Sequence, residues 1–249
     1  MSLYFDSVGD YAYNNILGTP LANGGLTLSA WCKPEYDGDD LETTVVNFPG
    51  TEAEGHAYIS LKWHTGKTDP PANPQWRATV FDGVSKTVTL AYTPASVAWK
   101  HLALRVQMNA DGGYYVGLYW DGTLVDYEEA ESGMYTGYLS AVRRIYVGCK
   151  LTGLVRSQYH KGYVGNLAVF FYDVDNIPSM AFIGELANGR PPWDVYPPTV
   201  HANWPLFADN RWALREVKVA VVYALTKVGA TWYNDDNPPV KLRRSITAS

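Results

Sequence analysis

Residues 26–31 read Leu26-Thr27-Leu28-Ser29-Ala30-Trp31, with Cys32-Lys33-Pro34 following. Leu26, Leu28 and Ala30 fall on one side of an extended chain, and Thr27, Ser29 and Trp31 on the other. A period of two is the signature of a half-buried β-strand, because successive side chains point to opposite faces. The same alternation recurs at Ala57-Tyr58-Ile59-Ser60-Leu61-Lys62-Trp63, at residues 76–81 and at residues 86–92. Asp82-Gly83 separates the last two stretches, a dipeptide that favours a tight hairpin turn. A second hairpin reads 114–120, then Asp121-Gly122, then 123–127, and residues 144–149 and 162–172 supply later strands. Many strands with turn cues between them predict an all-β sandwich or jelly roll.

Composition agrees. The chain has 249 residues, of which 47% are hydrophobic, 18% charged and 14% aromatic, with 19 Tyr, 9 Trp and 7 Phe. This excludes a disordered chain, a coiled coil and a collagen-like repeat. The net charge is -5, which offers no electrostatic footprint for nucleic acid. The charge is uneven: residues 1–200 carry a net -8 and residues 201–249 a net +3, ending in Lys241-Leu242-Arg243-Arg244. Cys32 and Cys149 both sit in apolar runs and read as small buried hydrophobes. No C-x-x-C pair suggests zinc, and no cofactor is expected. The start, Met1-Ser2-Leu3-Tyr4-Phe5-Asp6, lacks the charged and apolar regions of a secretion signal. No apolar run of about 18 residues predicts a membrane span.

Three loops are rich in proline: 69–74, 189–193 and 237–239. The middle one divides the expected β-sandwich, residues 1–188, from a linker and C-terminal extension, residues 189–249, expected to pack on the sandwich or on a partner. A short helix is expected at 178–188, where Met180, Ile183, Leu186 and Ala187 share a face and Asn188-Gly189 supplies the stop. Residues 213–228 fit a helix by spacing and strands by their valine content.

The opening run Leu3-Tyr4-Phe5-Asp6-Ser7-Val8-Gly9-Asp10-Tyr11 resembles the first strand of laminin-G-like domains, which belong to the concanavalin A-like jelly rolls. Residues 26–34 resemble that family's Ser-Ala-Trp-x-Lys-Pro strand. Trp99-Lys100-His101-Leu102-Ala103-Leu104 resembles its Trp-x-His-Val-Ala strand, and residues 118–125 the hairpin that follows. Ile145-Tyr146-Val147-Gly148 and residues 162–170 resemble its closing strands. The resemblance implies two packed antiparallel sheets. Gly165-Asn166 stands where the family carries Asp-Glu, and Ser7 replaces a glycine, so a family-type calcium or ligand site is not expected. Ala202-Asn203-Trp204-Pro205-Leu206, residues 225–232 and Pro238-Pro239-Val240 resemble a tail found on laminin-G-like proteins of tailed bacteriophages. That resemblance implies a virion component.

The chemical motifs are sparse. The β-glucanases of the same architecture carry Glu-x-Asp-x-x-Glu on one strand, which aims its carboxylates into one cleft. Asp126-Tyr127-Glu128-Glu129-Ala130-Glu131 has the wrong spacing and reads as a solvated edge. His56, His64, His101, His160 and His201 form no His-x-x-x-His pair, and His101 falls at a structural position of the family. Asp37-Gly38-Asp39-Asp40 lacks the spacing of an EF-hand, and no metal site is expected.

Aromatic residues are the remaining candidates. Tyr36, Trp63, Trp76 and Tyr159 lie beside polar loops, where they either stack on sugars or pack between the sheets. Trp193, Tyr196, Trp204 and Trp232 are candidate protein contacts. The first expectation is a non-enzymatic virion protein, a capsid decoration or tail-associated component contacting other virion proteins in a homo-oligomer. The second is a lectin-like module binding surface glycans; the third, least supported, is a glycan-active hydrolase.

Overall fold

The alternating stretches become strands of two packed antiparallel sheets. The computed structural model describes residues 2–5, 9–15, 24–35, 42–50, 57–66, 73–94, 98–137, 139, 144–152, 155–173, 179–190, 200–204, 226–228 and 231–233. Sheet A runs in the order β10 (Thr123–Ala130), β9 (Tyr114–Trp120), β8 (Lys100–Met108), β3 (Gly24–Pro34), β14 (Gly162–Asp173), β1 (Ser2–Phe5) and β17 (Thr231–Tyr233). β15 (Val200–Trp204) pairs with the second half of β14, beyond the part that β1 occupies. Sheet B runs β16 (Thr226–Val228), β2 (Tyr11–Asn15), β11 (Arg144–Val147), β4 (Glu42–Pro49), β5 (Tyr58–His64), β6 (Gln75–Phe81) and β7 (Thr87–Tyr92). A small hairpin, β12 (Lys150–Thr152) with β13 (Val155–Ser157), stands apart from both. The described segments of the C-terminal extension thus add strands to both sheets.

Period two sorts the side chains. Leu26, Leu28, Ala30 and Cys32 of β3 meet Val46, Phe48, Ile59, Leu61 and Trp63 of sheet B in one core. Trp63 and Trp76 are cross-strand partners with ring centroids 4.9 Å apart, and Trp76 lies 6.4 Å from Trp120. At ~150–250 Å² per ring and ~25 cal/mol per Å², each contributes roughly 4–6 kcal/mol of burial.

The two hairpins differ. Asp121 and Gly122 both take positive φ (46° and 83°), the geometry of a two-residue turn matched to strand twist. Gly122 rests against the backbone of Gly184, which leaves no room for a Cβ. Asp82-Gly83, by contrast, opens a five-residue connection, Asp82 to Lys86. The buried Asp82 carboxylate accepts the N–H groups of Val84, Ser85, Lys86 and Tyr135 at 2.8–3.1 Å. Burial alone would raise its pKa; these four donors outweigh burial and lower it. The carboxylate therefore organises a wider loop than the dipeptide suggested.

The free edges β7 and β10 are joined across the sandwich. The Ala91 N–H donates to Asp126 at 2.9 Å, and Lys86 pairs with Glu128 at 2.9 Å. The acidic run at 126–131 thus forms the partly exposed rim expected of it.

α1 (Ala181–Ala187) ends at Asn188 and Gly189, as its sequence signals predict. Its buried residues are Phe182, Ile183 and Leu186, whereas Met180 precedes the helix and is exposed. α1 packs on the outer face of sheet A, against Ala103, Tyr119, Ala168 and Phe170. Cys32 and Cys149 are free thiols, both buried. Burial pushes the Cys149 thiol up to about 12, so it is protonated at neutral pH.

Candidate functional site

The polar half of the alternation in sheet B lies on its outer face. Three cross-strand rows build it: Glu42–His64–Gln75, Thr44–Lys62–Arg77 and Asn47–Ser60–Thr79. Adjacent rows lie about 7 Å apart, two residues along β5 and β6; on β4 a bulge between Thr44 and Val46 makes the step to Asn47 three residues. Lys62, His64, Thr44, Asn47, Ser60 and Thr79 are buried in spite of their polarity. Glu42, Arg77, Tyr58 and Lys150 are half-buried, open to a ligand while partly shielded from water.

Glu42 is the electrostatic centre. Its carboxylate receives Lys62 Nζ at 2.8 Å and faces Arg77 Nη1 at 3.5 Å. Arg77 also donates through Nε and Nη2 to Gln75 Oε1, at 3.3 and 3.1 Å. Burial favours the neutral acid, but the Lys62 hydrogen bond and the charges of Lys62 and Arg77 together lower the Glu42 pKa. Burial, with Arg77 nearby, lowers that of His64. His64 Nδ1 accepts the Gly66 N–H at 3.2 Å, which places the proton of the neutral ring on Nε2.

Gln158 joins this cluster from the loop after β13. Its φ of +51° lies in the left-handed region, a strained setting for a residue with a side chain. Three bonds hold it: the Thr44 N–H donates to its carbonyl at 2.7 Å, the Thr44 hydroxyl to Oε1 at 3.0 Å, and Nε2 donates to Glu42 at 3.3 Å. Beside these groups, Lys150 Nζ lies 4.1 Å and Lys62 Nζ 5.4 Å from the Tyr58 ring centroid. Burial, reinforced by Lys62, lowers the Lys150 pKa.

The β12–β13 hairpin covers part of the face. The Leu151 N–H donates to Asn47 Oδ1 at 3.0 Å. Tyr146, Cys149 and Leu151 form a cluster with Tyr11, Tyr13 and Tyr159 packed against it, and Arg156 lies 4.5 Å from the Tyr11 ring centroid. The result is a charged, hydrogen-bonding floor flanked by tyrosines, an arrangement suited to a polyhydroxylated ligand.

The structure redistributes the sequence candidates. Trp63 and Trp76 are each 1% exposed and face the other sheet, so no sugar ring reaches them; they are corrected to core residues. Tyr159 is half-buried and borders the face just described. Tyr36, Trp193 and Tyr196, like the acidic loop 37–40, lie outside the described residues. The backbones of Trp204 and Trp232 pair with Leu167 and Leu3. Glu42, Lys62, Arg77, Lys150 and Gln158 were missed. For Lys62 the signal was present in β5: Ser60, Lys62 and His64 alternate with Ile59, Leu61 and Trp63.

On sheet A the middle of the outer face is buried, and exposed rings remain only toward the edge strand β10 among the described residues. Ser29 Oγ and His101 Nε2 are 2.8 Å apart, a nucleophile–base distance. Both are buried, and burial lowers the imidazole to a pKa of about 4. No carboxylate among the described residues orients Nδ1, and the Trp31 ring packs edge-on at 5.7 Å. The pair is a core hydrogen bond. Among the described residues, no group of three or more His, Cys, Asp or Glu is placed to hold a metal ion.

Two antiparallel sheets packed face to face, one outer face capped by a helix and the other polar, define a lectin-like β-sandwich. The model of the concanavalin A-like lectin/glucanases superfamily matches residues 7–172, and the chain belongs to that superfamily. Its fold is similar to that of a putative carbohydrate binding protein from Bacteroides ovatus (14% identity, TM-score 0.56, covering 84% of this chain and 52% of that one). It is similar to the heptameric SAP-like pentraxin from Limulus polyphemus (13% identity, TM-score 0.53, 75% and 81%). It is also similar to the Ruminococcus gnavus IT-sialidase CBM40 bound to alpha2,3 sialyllactose (13% identity, TM-score 0.50, 75% and 96%). At such identities the likeness concerns the fold. No curated protein matches the sequence, and nothing in these comparisons points to a bacteriophage.

Proposed function

We propose that the protein is a glycan-binding module of the lectin type, which holds a saccharide on the outer face of sheet B and performs no chemistry on it. The observation that carries this reading is the half-buried Glu42–Lys62–Arg77–Gln75 network lying beside the Tyr58 ring. Donors and acceptors in fixed positions match sugar hydroxyls, and a neighbouring ring offers an apolar surface to a pyranose face. The carbohydrate-binding neighbours support the same reading. Lys62 and Arg77 outweigh burial and hold Glu42 below the ordinary carboxylate range, which does not suit the proton-bearing acid that hydrolysis needs beside its ionised carboxylate.

A glycan array probed with the purified chain tests the proposal. Binding that falls at least ten-fold in Tyr58→Ala, with the thermal melt unchanged, supports it; a blank array removes it.

A second reading, a structural protein of a bacteriophage virion, rests on the resemblance of residues 202–240. β15, β16 and β17 lie in that segment and each pairs with one strand of the sandwich, which leaves β16 and β17 as the outermost described strands of their sheets. Contacts with other virion proteins, or within a homo-oligomer, would then use strand addition at those edges as well as side chains. Mass spectrometry of purified particles decides; absence from the particle removes this reading.

A further inference from the structure

We propose that the saccharide recognised by this face is acidic, carrying a carboxylate or a sulfate ester that meets the half-buried Lys150 and Arg77. The inference rests on the glycan-binding reading above and names the class of ligand.

The first observation is charge. The chain as a whole is net negative, at -5. On this face Lys62, Arg77 and Lys150 stand against one carboxylate, Glu42. Glu42 is engaged by Lys62 and Arg77. Lys150 forms no ion pair with a carboxylate among the described residues: its ammonium lies on the Tyr58 ring, with like-charged Lys62 and the Glu42 carboxylate as its charged neighbours. Arg156 of β13 adds a further cation over Tyr11. A half-buried excess of positive charge is costly unless an anion joins it.

The second observation is geometric. Lys150 and Tyr58 are both half-buried, and the ammonium lies 4.1 Å from the ring centroid, so an acid group that meets Lys150 sets the attached sugar beside an apolar ring face. Asn47 and Ser60, under β12, are fully buried and out of a ligand's reach.

Isothermal titration calorimetry of the full chain tests this with matched pairs: 3′-sialyllactose against lactose, and dextran sulfate against dextran. Polyglutamate serves as a non-saccharide polyanion. At least one acidic saccharide is expected to bind ten-fold or more tighter than its neutral partner and tighter than polyglutamate, and to weaken several-fold between 50 and 500 mM NaCl. The carboxylate and sulfate arms distinguish the two acid types. Lys150→Ala and Arg77→Gln are each expected to lose ten-fold or more for the acidic ligand while leaving the melt in place. Equal binding of neutral and acidic partners overturns the inference but leaves the glycan-binding reading standing. Acidic binding unchanged in both variants, or matched by polyglutamate, overturns it too. No saccharide binding at all overturns both.

Discussion

The two outer faces of the sandwich are built by the same alternation and put to opposite use. On sheet A, Ala103, Tyr119, Ala168 and Phe170 are covered by Phe182, Ile183 and Leu186 of α1, and Ser29 and His101 are sealed nearby. On sheet B, Glu42, Arg77 and Tyr58 stay within reach of solvent, and a short hairpin covers part of the face. One face is a second core, whereas the other is a surface with charges held in place. The difference lies in what lands on each sheet: an amphipathic helix buries apolar area, while two three-residue strands bury little.

That contrast can be broken by substitution. Phe170→Ala on sheet A should destabilise the protein by about 3–5 kcal/mol in chemical denaturation, because the ring is fully buried. A loss below about 1 kcal/mol would show that α1 does not cap a true core.

Acid titration gives the next largest effect. His101 has a folded pKa of about 4 against an ordinary value of 6.5. Between those values the unfolded chain binds the proton and the folded chain does not, so stability falls as pH is lowered from about 6.5 to 4. The shift corresponds to roughly 3 kcal/mol. Melting temperatures measured from pH 7 to pH 4 should decline, and the decline should be shallower in His101→Gln. An unchanged slope would place the imidazole in contact with water.

On sheet B the effects should be smaller. Lys62→Met strands the Glu42 carboxylate, half-buried, with Arg77 as its remaining cation; a loss of about 1–2 kcal/mol is expected. Lys150→Ala should change stability by no more than about 1 kcal/mol, because it loses a contact with the Tyr58 ring and, among the described residues, no carboxylate ion pair. A loss from Lys150→Ala equal to that from Phe170→Ala would erase the distinction between the faces.

Much of the fold was legible. The strand at 26–31, the hairpin at Asp121-Gly122 and the helix stop at Asn188-Gly189 all rest on local rules: period two, positive φ and capping. Asp82-Gly83 marked a true hairpin, but its five-residue connection was not legible, because the Asp82 carboxylate that organises it also holds Tyr135, a partner 53 residues away. The candidate site was harder to see. Trp63 and Trp76 drew attention as large rings near polar loops, yet period two already placed Trp63 on the side opposite Lys62. Gln158 and Lys150 have no pattern of their own; they reach Glu42 and Tyr58 because a later segment folds back over β4 and β5.

The sequence by itself determined that this chain is a β-sandwich, and which side of each strand is apolar, because strand geometry is local and repeats every two residues. It could not assign the polar sides to a sealed face or an open one. Only the tertiary structure decided that, by setting α1 on sheet A and the β12–β13 hairpin on sheet B. Burial and charge pairing depend on groups far apart in the chain, brought to contact distance only by the fold.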